Sequence, residues 1–416
     1  MITRSFWVLL HRWSGLAMGG FLVIVGLTGS VLAFKEELDI WLNPDLMTVP
    51  IRDMSLLDPL QLREKAEALE PRIRVDGVSL ARAPGRAMSI SFAPRIDPQT
   101  GKPFELPFNE MFLDPYTGEK LGERETCAVS LAKENIICFI YRIHTSLALP
   151  ASAGALGVYL LGGTALIWTI DCFVSFYLTF PMRRRDSASS SLKSWWGRWK
   201  PAWLIKLGAG AYRINFDIHR AFGLWTFVML FVFAWSSVFF NLNFVYTPVM
   251  SLAFDMTLPT TLTDLETPLE SPALSWREAL SRGRELVKEA GEQHGFTTLS
   301  EQYFGLDRAK GVYTYMIRSS RDFGRRGDTV VAFDANSGVF KSLTAASTVT
   351  TGWVVTQWLA SLHMAQIFGR PMQVLVCAMG FVITALSVTG VVIWWKKRAA
   401  RIFRSQREAQ RDGAAV

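Results

Sequence analysis

Charge is scarce in this chain. Only 19% of its 416 residues are Asp, Glu, Lys or Arg, while half are hydrophobic; soluble domains carry about 25% charge. That balance excludes an ordinary soluble protein and suits a membrane protein with soluble loops. Histidine is scarcer still, at five residues. No G-x-G-x-x-G segment follows a strand-like run, which excludes the common phosphate-cradling turn of flavin and nicotinamide enzymes. The four cysteines constrain little. Cys172 and Cys377 lie in apolar runs and read as small fillers. Cys127 and Cys138 fall on the expected outer side, where a disulfide can form.

Long apolar runs are present. A bilayer core takes about 20 apolar residues as helix. Gly15–Phe34, Ala221–Phe240 and Pro371–Trp395 hold no charge, and Ala151–Phe180 holds one, Asp171. Four such runs with polar flanks predict four transmembrane helices and not buried core helices. The first run is no cleaved signal peptide, because Phe34-Lys35-Glu36 offers no small-residue cleavage site.

Lysine and arginine near helix ends predict orientation. Between runs two and three stand Arg183, Arg184, Arg185, Lys193, Arg198, Lys200, Lys206 and Arg213. After run four stand Lys396, Lys397, Arg398, Arg401, Arg404, Arg407 and Arg411, and before run one Arg4 and Arg12. These regions read as cytoplasmic, with both termini inside. The formal charge of +8 is then a topology signal and not a nucleic-acid patch. Trp195, Trp196, Trp199 and Trp203 interleave with the basic loop and predict a segment lying on the bilayer surface.

The chain repeats itself. His11-Arg12-x-x-Gly15-Leu16 opens the first run and His219-Arg220-x-x-Gly223-Leu224 the third. Ile143-His144 precedes the second and Leu362-His363 the fourth. Asp114-Pro-Tyr-Thr-Gly118 is answered by Asp334-Ala-Asn-Ser-Gly338, with the chemistry of hairpin turns. Motifs in one order at nearly constant offset argue for internal duplication. Each outer loop reads as a small α+β domain. In the first, Asp58 caps a helix over Leu60–Glu70, with strands at Val75–Arg82, Met88–Ala93 and Met111–Asp114. In the second, a Ser275…Glu278 capping box opens a helix to about Ala290, with strands at Val312–Ser319 and Thr329–Asp334.

The boundaries expected are: helix one, 1–34; outer domain one, 35–128; a pre-helix and helix two, 129–180; a basic loop, 181–218; helix three, 219–243; outer domain two, 244–350; a pre-helix and helix four, 351–395; and a basic tail, 396–416.

Four of the five histidines mark the repeat. His11 and His219 sit at the cytoplasmic level and His144 and His363 at the outer level, one of each pair from each half. Two imidazoles facing across apolar helices hold haem iron. Gly15, Gly19, Gly20, Gly162 and Gly163 give a flat macrocycle room, and Arg12, Arg142, Arg220 and Arg370 lie where propionates end. A bare transition-metal site is the rival, weakened by the lack of carboxylate or cysteine co-ligands. Asp171 reads either as a proton or quinol group or as an ion-pair partner of a loop arginine. His294 has no counterpart and reads as exposed.

This pattern resembles the PepSY-associated transmembrane family over nearly the whole chain. Within it the likeness is to inner-membrane ferric-siderophore reductases carrying two b-type haems. The resemblance implies a mainly α membrane protein with two α+β PepSY-like periplasmic domains. It implies His11, His144, His219 and His363 as ligands of two haem b groups, and a ferric siderophore as substrate. The donor is expected to be a quinol or a redox protein. A membrane-anchored PepSY regulator without redox activity is the alternative, and it leaves the histidine pairs unexplained. A transporter is the third reading, disfavoured by so few intramembrane polar groups.

Reporter fusions after Arg185 and Arg404 should read as cytoplasmic, and fusions near Gly101 and Gly311 as periplasmic. A periplasmic signal from the basic loop would invert the topology.

Overall fold

The computed structural model describes residues 3–182, 192–257, 262–324, 327–346 and 348–413. Arg183, Arg184 and Arg185 lie outside them, as do the side chains of Lys193 and Arg411. Its helices begin with α1 (Arg4–Leu32), α2 (Lys35–Leu42), α3 (Pro44–Met47) and α4 (Pro59–Leu69). Strands β1 (Ile73–Arg74), β2 (Gly77–Ser79), β3 (Met88–Ser91), β4 (Ala93–Pro94), β5 (Glu110–Leu113) and β6 (Lys120–Arg124) follow. Next come α5 (Ile136–Ser146), α6 (Leu156–Thr179), α7 (Leu192–Trp199), α8 (Ala211–Trp225), α9 (Phe227–Asn241), α10 (Asn243–Met250) and α11 (Trp276–His294). The chain then makes β7 (Thr298–Asp307), β8 (Val312–Ser319), β9 (Thr329–Asp334), β10 (Phe340–Thr344), α12 (Thr351–His363) and α13 (Gly369–Gly413).

Among the described residues α1, α6 and α13 are each long and apolar enough to cross a membrane. The third run is not one straight helix. α8 and α9 meet at a 69° bend, and they make a fourth span only if counted together. Thr226 sits at the corner with φ −108° and ψ 6°, and its hydroxyl donates to the Phe222 carbonyl at 2.7 Å. A hydroxyl competing for a backbone acceptor is a recognised cause of helix bending.

Small residues let the spans approach. A methyl group added at Gly26 of α1 would stand 2.7 Å from the Gly380 carbonyl of α13. Beside it the Ser30 hydroxyl donates to the Cys377 carbonyl at 2.8 Å. Lipid tails are as apolar as leucine, so close backbone contact and interhelical hydrogen bonds hold such helices together. Gly162 of α6 serves the same end, since a Cβ there would meet Leu242 at 2.6 Å. Trp195, Trp199 and Trp203 pack with Phe176 of α6 and with Phe180 just past its end in a cluster of their own, and Trp196 keeps its exposure.

The segments between the spans fold as their local chemistry dictates. Asp58 accepts from the Leu60 amide at 2.9 Å to start α4. Ser275 and Glu278 form the reciprocal capping box of α11, which ends at Gly295 with φ +69°. The two turn motifs behave alike. Asp114 accepts from the Tyr116 amide at 2.8 Å, Asp334 from the Ser337 amide at 2.9 Å, and Gly118 and Gly338 take φ +74° and +70°. These turns make the antiparallel hairpins β5–β6 and β9–β10.

The two sheet-bearing segments between the spans do not build two separate cores. β2 of the first pairs with β7 of the second, closing a five-stranded sheet of order β10-β9-β8-β7-β2. One buried cluster runs from Leu62, Ile73 and Met111 to Phe304, Tyr313 and Phe333. Arg308 crosses the seam to Asp76 at 2.7 Å, and Arg63 stands 4.1 Å over the Trp276 ring. Cys127 and Cys138 are joined as a disulfide, their Cα atoms 4.8 Å apart. At the seam with the helices, Arg124 binds Glu110 at 2.7 Å and Asp39 of α2 at 3.2 Å. Burial pushes the Glu110 carboxyl up, but the hydrogen bonds from Ser89, Thr126 and Arg124 prevail and hold it below its ordinary range.

A shared core makes a testable statement. Phe304, fully buried, should cost about 3–5 kcal/mol when cut to alanine. Limited proteolysis should then accelerate in 60–113 as well as in 279–345. Faster cleavage of the second stretch alone would show that the cores are independent.

Candidate functional site

The four repeat histidines come together as two pairs. His11 of α1 faces His219 of α8 with ring centroids 6.1 Å apart and planes inclined by 53°. His144 of α5 faces His363 of α12 at 6.4 Å and 84°. The pairs lie at opposite ends of α1. His11 belongs to its start, and Thr28, which holds His144, lies about 25 Å further along at 1.5 Å per residue.

Every one of these rings is tied at Nδ1. The Thr28 hydroxyl lies 2.7 Å from the Ile24 carbonyl and 2.9 Å from His144 Nδ1. The Ser236 hydroxyl lies 2.6 Å from the Val232 carbonyl and 2.7 Å from His363 Nδ1. His219 Nδ1 has the Leu386 carbonyl and Thr389 Oγ1, each at 3.0 Å, and Thr389 spends its own proton on the Ala385 carbonyl at 2.6 Å. His11 Nδ1 meets both oxygens of Asp171, at 3.0 and 2.9 Å, and Ser14 donates to the same carboxylate at 2.9 Å. A ring that donates from Nδ1 keeps its lone pair on Nε2. The Asp171 carboxylate and the Leu386 carbonyl can only accept, so they leave the Nε2 lone pairs of His11 and His219 free, as an outer partner does for a metal-binding imidazole.

The spacing suits a metal between the rings. With a metal–imidazole bond of about 2.0–2.1 Å and a nitrogen about 1.1 Å from its ring centre, two imidazoles sharing one ion from opposite sides would place their centroids about 6.2–6.4 Å apart. The separations of 6.1 and 6.4 Å lie close to the two ends of that span. Among the described residues no three His, Cys, Asp or Glu side chains converge into a metal cluster. Each pair thus brings two imidazoles to a spacing that one metal could bridge, with no third ligating side chain among the described residues, a donor set that a haem would complete.

Glycines shape the space. Gly15 and Gly223 stand four residues after His11 and His219, on the same helix face, and a Cβ at either would meet nothing within 4 Å. Gly19 is buried yet equally open. These three form a cradle that side chains would fill. Gly29 and Gly390 act differently: an added Cβ would press on Cε1 of His144 at 3.1 Å and of His219 at 3.2 Å. Gly20 is exposed, and Gly162 packs helices together as described.

The expected arginines divide. Arg220 donates to buried Asp217 at 2.8 Å and to the Pro201 carbonyl at 2.6 Å, so it anchors the loop before α8. Arg142 donates to the Cys127 carbonyl at 3.0 Å. Arg12 is half-buried and Arg370 exposed. Asp171 is 6% exposed and bound to His11, and among the described residues no arginine pairs with it. His294 is exposed at the end of α11. Thr28, Ser236 and Thr389 escaped the reading of the sequence. A signal existed: Thr28 and Ser236 each follow their opening histidine by 17 residues (28 less 11, and 236 less 219).

A family model described as PepSY-associated TM region matches residues 8–397. No curated protein matches the chain.

Ser236→Ala removes the acceptor of His363 and should weaken the group held by that pair roughly 10–100-fold. Thr389→Ala should act far less, because the Leu386 carbonyl still accepts from His219. Haem retained per chain after purification measures both. Equal losses would mean that Nδ1 anchoring does not set affinity.

Proposed function

The chain belongs to the PepSY-associated TM family, and within it we propose a di-haem b electron carrier of the inner membrane that reduces ferric siderophores in the periplasm. One observation carries the reading: two pairs of imidazoles, each at a separation that a metal could bridge and each held at Nδ1 by a partner from another helix.

On this reading His11 with His219, and His144 with His363, would hold the two groups. Each haem when bound would take up and release one electron at its iron. The residues do the rest. Thr28, Ser236, Thr389 and Asp171 keep the ligand nitrogens unprotonated and aimed. Gly15, Gly19 and Gly223 leave room for a flat ring. Apolar helix faces exclude water from both sites. Arg12, Arg142, Arg220 and Arg370 supply positive charge near the propionate levels.

The finer organisation follows. The chain is a duplication of two helix pairs, each with a PepSY-like outer segment. The basic loop and tail face the cytoplasm. The His11–His219 site then lies inside and the His144–His363 site outside, next to the sheet-bearing unit. Electrons enter from a quinol or a redox protein. The substrate reading rests on chemistry: a siderophore's hard oxygen donors favour ferric iron, so one electron loosens the chelate. Trp358, 39% exposed on α12 and stacked on Phe323 at 4.6 Å, offers an apolar surface beside that site. The reading of the chain as a redox-inactive PepSY regulator predicts a colourless protein.

Purified protein should carry two low-spin haems b. His11→Ala should lose or perturb one spectral component and His144→Ala the other. After dithionite reduction, a ferric hydroxamate siderophore should reoxidise the protein while ferrous iron appears at the same rate. His363→Ala should slow this roughly tenfold or more, at least the loss that a weakened ligand shell produces. Equal reoxidation rates in wild type and His363→Ala would remove the outer site from the path.

A further inference from the structure

The two sites are built alike except in one place. Three of the four imidazoles meet only neutral oxygens at Nδ1: Thr28, Ser236, and the Leu386 carbonyl with Thr389. The fourth, His11, gives its Nδ1 proton to a carboxylate. The repeat makes the difference pointed. Asp171 follows His144 by 27 residues (171 less 144), and Thr389 follows His363 by 26 (389 less 363). Corresponding stretches of α6 and α13 therefore both supply an Nδ1 acceptor, one charged and one neutral.

We propose that Asp171 sets the direction of electron flow, by making the His11–His219 site the lower-potential of the two. This rests on the haem reading above. A carboxylate drawing on Nδ1–H makes Nε2 a stronger donor, and a stronger axial donor favours the oxidised, more positive metal. The charge acts in the same sense. Asp171 is 6% exposed, and at low effective dielectric a nearby anion stabilises the extra positive charge of the oxidised state. Ser14, donating to Asp171 Oδ1 at 2.9 Å, keeps the carboxylate aimed at the ring. Thr28 and Ser236 contribute no charge to the other site. The exchange is one electron for one: the lower-potential site is oxidised as the higher is reduced, and no bond or proton changes place. Asp171 is a positioning and tuning residue, acting through His11.

Potentiometric titration of the purified holoprotein, followed in the haem absorption bands, tests this. Wild type should show two one-electron waves, and the lower should be the one that His11→Ala removes. Asp171→Asn should raise that wave by about 59 mV or more, a tenfold change in its reduced-to-oxidised ratio at fixed poise. Asp171→Glu should leave it near the wild-type position, and the other wave should stay put in both. Ser236→Asp, which brings a carboxylate to His363, should lower the second wave. This variant decides the matter if Asp171→Asn loses its haem. Two haems with the Asp171→Asn wave unmoved, or an unmoved second wave in Ser236→Asp, would overturn the inference and leave the haem reading standing. A wild type without haem would overturn both.

Discussion

A neutral imidazole has one proton and one lone pair, and here Nδ1 of all four repeat histidines is engaged by a hydrogen-bond partner from another helix. The rest of the helical architecture follows from that constraint. Each acceptor must come from a different helix than the ring it holds. α1 supplies Thr28 to α5, α9 supplies Ser236 to α12, α6 supplies Asp171 to α1, and α13 supplies Leu386 and Thr389 to α8. These tertiary contacts thus tie seven helices, α1, α5, α6, α8, α9, α12 and α13, into one frame. Their hydroxyls also bond backward to their own helix, so the acceptors have little rotational freedom to lose. A ring and its acceptor packed this way cannot be moved separately.

That requirement accounts for the departures from four straight helices. His219 stands past the middle of α8, and a straight continuation into α9 would carry Ser236 along one axis with it. The 69° bend at Thr226 turns α9 relative to α8. α8 is then packed against α13 for His219, and α9 against α12 for His363. In the first half, α1 does both jobs without bending, because it holds His11 itself and reaches His144 through Thr28. The same motif, H-R-x-x-G-L, therefore opens a continuous helix once and precedes a corner once. Thr226 marks the corner, but a threonine in an apolar run is too common to have predicted it.

Much of this was legible in the residues. The apolar runs, the caps at Asp58 and Ser275, the glycine turns at Gly118 and Gly338, and strands β8 and β9 follow from local chemistry. The site was legible through scarcity: with five histidines, four in matched settings form a pattern that composition does not hide. What stayed hidden was non-local. β7 has no clean alternation, since its first residues are exposed and its last buried, and it carries two register shifts against β8. The fusion of both outer segments into one core depends on β2 reaching β7, a pairing of three residues that no local signal announces. Hydroxyls inside apolar helices read as filler until a ring stands opposite them, and the role of Asp171 was decided by what faces it.

The fused core explains how the second pair is held. α5 and α12, which carry His144 and His363, are short helices that pack at the ends of the spans and do not cross with them. α5 is anchored upstream, where the Cys127–Cys138 bridge joins its first turn to the chain leaving β6, and Arg142 donates to the Cys127 carbonyl. α12 follows β10, and the Thr350 hydroxyl before it donates to the Asp255 carbonyl at 2.6 Å, while Tyr246 of α10 bonds Thr356 at 2.9 Å. Both helices therefore take their starting positions from β6 and β10, hairpin strands of the outer unit whose two segments share one core. Had each segment folded alone, the 6.4 Å separation of His144 and His363 would depend on two bodies free to move against each other. Sharing β2 and β7 removes that freedom, since the segments feeding the two helices then shift only together. The His11–His219 pair needs no such device, because α1 and α8 pack directly against α6 and α13. One site is thus positioned by helix packing within the apolar layer and the other by a sheet outside it.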